Sequence, residues 1–200
     1  MDFVTIEKQG RIAIVRFDRG TPANPMSQAL LRELTAAAHS FDHDSETSAV
    51  VLAGRVDNFS MGADLKDPET AALRDAGLAE RRVRMMAGMR MCRAWEEVQA
   101  LTISAIEGWC VGGGVALAVA TDLRVVSENG HMYVPEIERG MNMSWGSVPR
   151  ITNLVGPAKA KRIVILAEKV AAARAVDWGI ADEVAADGGT LDAALAMAER

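Results

Sequence analysis

Residues 107–117 read Glu-Gly-Trp-Cys-Val-Gly-Gly-Gly-Val-Ala-Leu. Three consecutive glycines, Gly112, Gly113 and Gly114, separate an apolar, strand-like run from an alanine-rich, helix-like run. Glycine accepts positive φ and lets another group approach closely. The N–H groups that open the following helix have no intrahelical acceptor, and the positive end of the helix dipole lies behind them. A turn of this kind stabilises an anion. The competing reading is that the glycines only allow tight packing of strand against helix.

On either side of this turn the chain alternates between strand and helix patterns. Residues 3–8 and 11–17 predict two strands joined at Gln9-Gly10, a hairpin signal. Ser27 is a good N-cap, and after it Leu30, Leu31, Leu34, Ala37, Ala38 and Phe41 recur at helical spacing. Residues 49–53, 101–106 and 123–126 are short apolar runs, read as buried strands. Residues 55–77 predict loop with a short helix, and 78–98 one helix with Met85, Met89, Cys92 and Trp95 near one face. Further helices are expected at 157–168, 171–178 and 190–200. Unbroken apolar strands alternating with helices imply parallel pairing under helical layers, joined by right-handed crossovers. The expected class is α/β, and no linker interrupts it, so residues 1–200 are read as one domain.

The totals narrow the function. Two hundred residues, half of them hydrophobic and 24% charged, suit a globular protein with a substantial core. A net charge of −5 argues against nucleic-acid binding. Cys92 and Cys110 offer neither zinc spacing nor a disulfide framework, so no metal site is expected and both thiols are read as reduced. The N-terminus lacks a signal-peptide pattern, and charges interrupt every apolar run before membrane-spanning length. The expectation is a cytoplasmic protein without membrane contact.

Two loops follow two of the buried strands at their C-terminal ends, where parallel sheets place ligands. One is Phe59-Ser60-Met61-Gly62-Ala63-Asp64-Leu65-Lys66, and the other carries the glycine triplet. Two amides, one from each loop, can converge on a single oxygen and lower the energy of a developing enolate. The stretch 59–66 resembles the F-[SA]-x-G-A-D-[LI]-K segment of the crotonase superfamily, the enoyl-CoA hydratase/isomerase family. Ala105 to Ala118 resembles that family's second signature. Thr121-Asp122-Leu123-Arg124, Val134-Pro135-Glu136, Leu154 to Lys161 and Trp178 to Val184 continue the likeness in the expected order.

The resemblance implies a crotonase-like spiral of β-β-α units, mostly parallel buried strands flanked by helices, that binds an acyl-CoA thioester. Coenzyme A would arrive as part of the substrate, with no tightly bound cofactor. Carried over by position, the Ala63 and Gly113 amides would hold the thioester oxygen. Asp64 and Leu65 would lie along the adenine and pantetheine path. Lys66 is either a phosphate or adenine neighbour or a solvated loop lysine. Met61, Gly112, Ala116, Ser144 and Trp145 are expected to line the pocket.

Hydration of an enoyl thioester is best served by two carboxylates. Family hydratases carry one glutamate two residues beyond the triplet, where this chain has Ala116, and a second twenty residues on, where it has Glu136. A methyl group moves no proton. One carboxylate can still remove the α proton and return it at the γ carbon, so double-bond isomerisation is the expected reaction. A hydratase with a substituted second acid/base is one alternative, and a non-catalytic CoA-thioester binding or assembly subunit the other. Partial burial near Met132-Tyr133-Val134 would raise the Glu136 pKa; alternatively Glu136 caps a helix or pairs with Arg139. Glu138 is a possible replacement carboxylate or a surface glutamate. His131 is a minor proton-relay candidate, and Cys110 reads as a packed thiol. Most methionines read as core filler, a few as acyl-tunnel lining. The arginines of 81–93 read as a solvated face, a subunit contact or an attractor of CoA phosphates. Family members continue with helices that cover the acyl end and pack a trimer. This chain is therefore expected to be short or to lack that C-terminal extension, and to assemble as a homo-trimer or hexamer.

Overall fold

Gly10 at the first turn position takes φ +61°, which lets a two-residue turn, Gly10-Arg11, close an antiparallel hairpin of β1 (Val4–Gln9) and β2 (Ile12–Phe17). The computed structural model describes residues 1–73 and 75–200. Ser27 caps α1 (Gln28–His39), its hydroxyl accepting from the Leu30 amide at 3.2 Å, and the leucines of the apolar face are buried. The chain returns to the sheet as β3 (Ala49–Ala53). After a long loop containing α2 (Pro68–Ala72) come α3 (Leu78–Met85) and α4 (Ala87–Glu96), then β4 (Leu101–Ile106), β5 (Trp109–Val111) and α5 (Gly113–Ala118). Next follow β6 (Leu123–Ser127), β7 (His131–Tyr133), a 3₁₀ turn at Glu136–Arg139, α6 (Ser147–Val164) and β8 (Val170–Ala171). The chain finishes with α7 (Ala172–Trp178), β9 (Glu183–Ala185) and α8 (Thr190–Ala198).

The larger sheet has the order β1-β2-β3-β4-β6-β9, parallel from β2 onward. A smaller sheet joins β5, β7 and β8. Every residue of β3 is buried because both faces of the larger sheet are covered. Val50, Leu52, Ile106 and Val126 point into the main core with α1, α4 and α5. Val51, Ala53, Ile103, Ala105 and Val125 point the other way, where α8 lies over them through Ala194. The strand period of two sorts alternate residues between these cores.

Several local expectations differ from the structure. The helix expected over 78–98 breaks at Met86, and the core face of α4 is formed by Gly88, Met91, Cys92 and Trp95. Met85, Met86 and Met89 are consequently exposed rather than core filler. The helix expected at 157–168 begins instead at Ser147 and kinks at Gly156, whose φ of +75° and ψ of 164° are not helical. Strands β5, β7, β8 and β9 have no counterpart in the sequence reading beyond apolar residues, since two or three residues show no period.

Candidate functional site

Three segments are laced together at the C-terminal end of β3 and β4. The loop after β3 runs beside β5: the Phe59 amide donates to Glu107 O at 2.7 Å, Ser60 to Trp109 O at 3.1 Å, and Val111 to Ser60 O at 2.9 Å. On its other side the loop meets Met26, whose amide donates to Gly62 O and whose carbonyl accepts from Asp64 N. Those two bonds make a parallel bridge between Met26 and Ala63. In such a bridge the flanking residues form the hydrogen bonds, and the amide of Ala63 itself points away.

Ala63 N–H thereby faces Gly113 N–H. A β-carbon built on Gly113 would stand 3.3 Å from the Ala63 nitrogen, and one on Gly62 would stand 3.3 Å from the Gly113 nitrogen. Neither amide donates to a group among the described residues, whereas Gly112 N–H is taken by Tyr133 O at 2.8 Å. Ala63 is exposed. The two donors are therefore adjacent and open to a ligand. The triplet packs tightly and also borders the cleft. Gly114 serves packing, since a side chain there would press on Ser60 O at 3.0 Å. Gly112 serves the site, with φ +51° and room for no β-carbon beside the Glu136 carboxylate, whose Oε1 it would meet at 2.6 Å.

Glu136 arrives opposite the amides because β7 runs parallel to β5, with Val111 level with Tyr133. Val134 and Pro135, both buried, carry the chain to the start of the 3₁₀ turn. Glu136 neither caps a helix nor forms an ion pair with Arg139 among the described residues. Its Oε2 is buried without a hydrogen-bond partner. Burial pushes this carboxyl above the ordinary carboxylate range, while its own backbone amide and the Arg139 charge pull it partway back. Glu138 is committed elsewhere, accepting from the Tyr133 hydroxyl.

The cleft in front of the amides measures about 560 Å³ and continues into a side pocket of about 100 Å³. Ala63, Leu65, Gly113, Glu136 and Met141 border both. Met61, Gly112, Asp64 and Lys66 line the wider part, while Ala116, Ser144 and Trp145 line the side pocket. All the pocket candidates read from the sequence thus surround one space. Asp64 is turned towards Arg19, 3.6 Å away. In the side pocket Glu136 is the one ionisable side chain among the described lining residues. His131 stacks on Trp109 and lies outside the cleft lining, and Cys110 is fully buried with its thiol pushed well up by desolvation. The arginines of α3 and α4 do not line the cleft. Arg84 engages Glu80 and Glu69, and Arg93 engages Glu97.

A family model described as Enoyl-CoA hydratase/isomerase matches residues 7–200. This chain belongs to the enoyl-CoA hydratase/isomerase family. The protein named "Probable enoyl-CoA hydratase" of Rhizobium meliloti (strain 1021) is 33% identical over 198 residues, covering 98% of this chain and 73% of that relative. The "Short-chain-enoyl-CoA hydratase" of Clostridium acetobutylicum is 29% identical over 182 residues, covering 90% of this chain and 68% of the relative. Among solved structures, Pseudomonas aeruginosa DspI superposes with a TM-score of 0.90 at 28% identity, over 100% of this chain and 74% of that one. The fold is also that of an enoyl-CoA hydratase from Bacillus anthracis, with a TM-score of 0.89 at 24% identity, over 98% of this chain and 75% of that one.

In this member of the enoyl-CoA hydratase/isomerase family, several residues around the cleft were not read from the sequence as lining it. Trp109, Tyr133, Arg139 and Lys169 line the wide part, and Lys169 reaches it only because β8 pairs antiparallel with β7. Lys169 Nζ lies 5.3 Å from the Tyr133 ring centre and 6.0 Å from that of Trp109. Asn24 was also missed. Fully buried with φ +42°, it donates from Nδ2 to Phe17 O and Phe59 O and accepts from Arg19 N. Its carbonyl accepts from Ser60 Oγ, which in turn accepts from Gly62 N. An asparagine just before a helix N-cap was the available signal, since Asn is among the few non-glycine residues that tolerate left-handed φ. No group of three or more His, Cys, Asp or Glu able to hold a metal occurs among the described residues, and no helix among them is long and apolar enough to cross a membrane.

Proposed function

We propose that the chain acts on an acyl-CoA thioester and moves a carbon–carbon double bond from position 3 to position 2 of the acyl group, with Glu136 as the one base. The observation that carries this reading is the juxtaposition of two undonated amides, Ala63 and Gly113, with a single carboxylate that has an unpartnered oxygen in the same cleft. The thioester oxygen sits between the amides. Glu136 takes the C2 proton, and the C–H electron pair flows into a dienolate whose negative charge rests on that oxygen. Donors already aimed at the developing oxyanion lower the barrier without reorganising, by about 3 kcal/mol each in comparable sites. The same carboxyl then returns the proton to C4, and the double bond remains between C2 and C3. With a methyl at Ala116, Glu136 is the one carboxylate among the described residues lining the side pocket.

The cations Lys66, Arg139 and Lys169 border the wide part of the cleft. There they receive the phosphates of coenzyme A, although the chain as a whole is acidic. The hydratase names of the relatives favour a second reading, addition of water to a 2-enoyl thioester, with another group in place of the absent carboxylate.

Side-by-side assays with 2-enoyl- and 3-enoyl-CoA substrates decide between the two. Conversion of the 3-enoyl ester without 3-hydroxyacyl product supports isomerisation, and rapid 3-hydroxyacyl formation overturns it. Glu136→Gln is expected to lower kcat by about 10²–10⁴-fold while acyl-CoA binding persists. Wild-type binding without turnover of either ester would reduce the chain to a CoA-thioester binding module.

A further inference from the structure

Beyond the paired amides the cleft ends in the 100 Å³ side pocket, and one of its walls is Trp145. The indole is wedged between two helices. A β-carbon built on Gly88 of α4 would stand 2.0 Å from its Cε2, and one on Gly113 would stand 2.6 Å from its Cζ3. Contacts that short leave glycine as the residue compatible with this ring position on both sides. The Trp145 backbone has φ +57°, in the left-handed region that bulky residues avoid. Such a conformation persists where the surroundings over-determine it. Here Arg150 Nη1 donates to the Trp145 carbonyl at 3.2 Å, while Arg150 also grips Glu96 of α4 at 2.9 and 2.5 Å. Ser147 Oγ ties the preceding carbonyl, Ser144 O, at 2.6 Å. The ring is a fixed wall held by α4, α5 and α6.

Resting on the acyl-CoA reading of the cleft, we infer that Trp145 sets the acyl-length limit of this protein and confines it to short acyl groups. With the thioester oxygen between Ala63 and Gly113, the acyl tail enters the side pocket. The pocket is small, about 100 Å³, and Trp145 closes one side of it. A longer tail meets the indole, which neither α4 nor α5 leaves room to displace. Ala116 is small and Met141 and Met143 are flexible, whereas the indole is held on two sides, so the rigid ring decides the length.

The test is calorimetric titration of the full chain with butyryl-CoA, decanoyl-CoA and free coenzyme A, for the wild type, Trp145→Ala and Trp145→Phe, with thermal melts to confirm folding. The wild type is expected to bind butyryl-CoA about tenfold or more tightly than decanoyl-CoA. Trp145→Ala is expected to erase or reverse that ratio through tighter decanoyl binding, with Trp145→Phe between the two. The phenylalanine variant keeps an aromatic wedge and serves if the alanine variant does not fold. Equal affinities for the two esters in the wild type overturn the role of Trp145. So does a substitution that weakens both esters in the same proportion. If no CoA thioester binds the wild type, the acyl-CoA reading itself falls, and the role of Trp145 with it.

Discussion

Glu136, the proposed base, has one carboxylate oxygen buried without a hydrogen-bond partner. Because burial favours its neutral form, the acid limb of kcat/KM is expected above the ordinary carboxylate range, activity rising with pH as Glu136 ionises. Stability moves the opposite way. Between the unfolded-state value, near 4.5, and the higher folded value the native chain binds more protons than the unfolded one, so stability falls as pH rises through that window. Glu136→Gln removes this dependence, and its melting temperature relative to wild type is expected to improve from pH 4 to pH 8, as followed by circular dichroism. Gly112→Ala strikes the same spot through the backbone. Positive φ and a 2.6 Å approach to Glu136 Oε1 are expected to cost about 1–3 kcal/mol in denaturant melts and to reduce turnover by displacing the carboxylate. An unchanged kcat in Gly112→Ala would show that the carboxylate position is not demanding. The glycine triplet was legible in sequence because residue type restricts what those positions can do, and Glu136 became a candidate through the family resemblance. That Glu136 faces Gly112 was not legible, since twenty-three residues and a β-strand pairing lie between them.

Among the elements, the segments before α1 (residues 24–27) and after β3 (residues 54–67) hold the site in shape more than α5 does. That helix is only six residues long, so it is the direction of its first amides rather than a long macrodipole that matters. Asn24 ties β2 to the loop after β3, and Ser60 Oγ fixes the Gly62 amide one peptide before Ala63. Asn24→Ala strips three hydrogen bonds from buried or half-buried backbone groups, and the expected loss is about 2–4 kcal/mol of unfolding free energy by urea titration. With the loop loosened, kcat is expected to fall more than KM rises; the reverse split would place Asn24 outside the shaping of the oxyanion pair. Element boundaries were legible where periodicity ran for two or more turns, as in α1, and where five apolar residues ran together, as in β3. The break at Met86 was hidden because both sides of it continue a helical pattern, and β5, β7 and β8 were too short to show a period.

For the molecule as a whole, the covering of both sheet faces is what makes the strand ends a rigid platform. α8 seals the face carrying Val51, Ile103 and Val125, and Ala194 is fully buried against them. Ala194→Asp is expected to destabilise by about 3 kcal/mol or more, because an unpaired charge would be forced into that layer. A melt within a few tenths of a kcal/mol of wild type would show that α8 is dispensable to the fold. Residue types and runs along the chain were enough to determine the α/β class and the buried parallel strands, and the motif resemblance gave the family and marked Ala63, Gly113 and Glu136 as candidates, since each depends on local composition or on short spacings. Only the folded chain decided that Met26 turns the Ala63 amide outward, that β5 beside β7 brings Glu136 over Gly112, that Lys169 joins the cleft, and that Trp145 walls its far end. Those are meetings between segments distant in sequence, and they are set by strand pairing and packing, which no short stretch of residues carries.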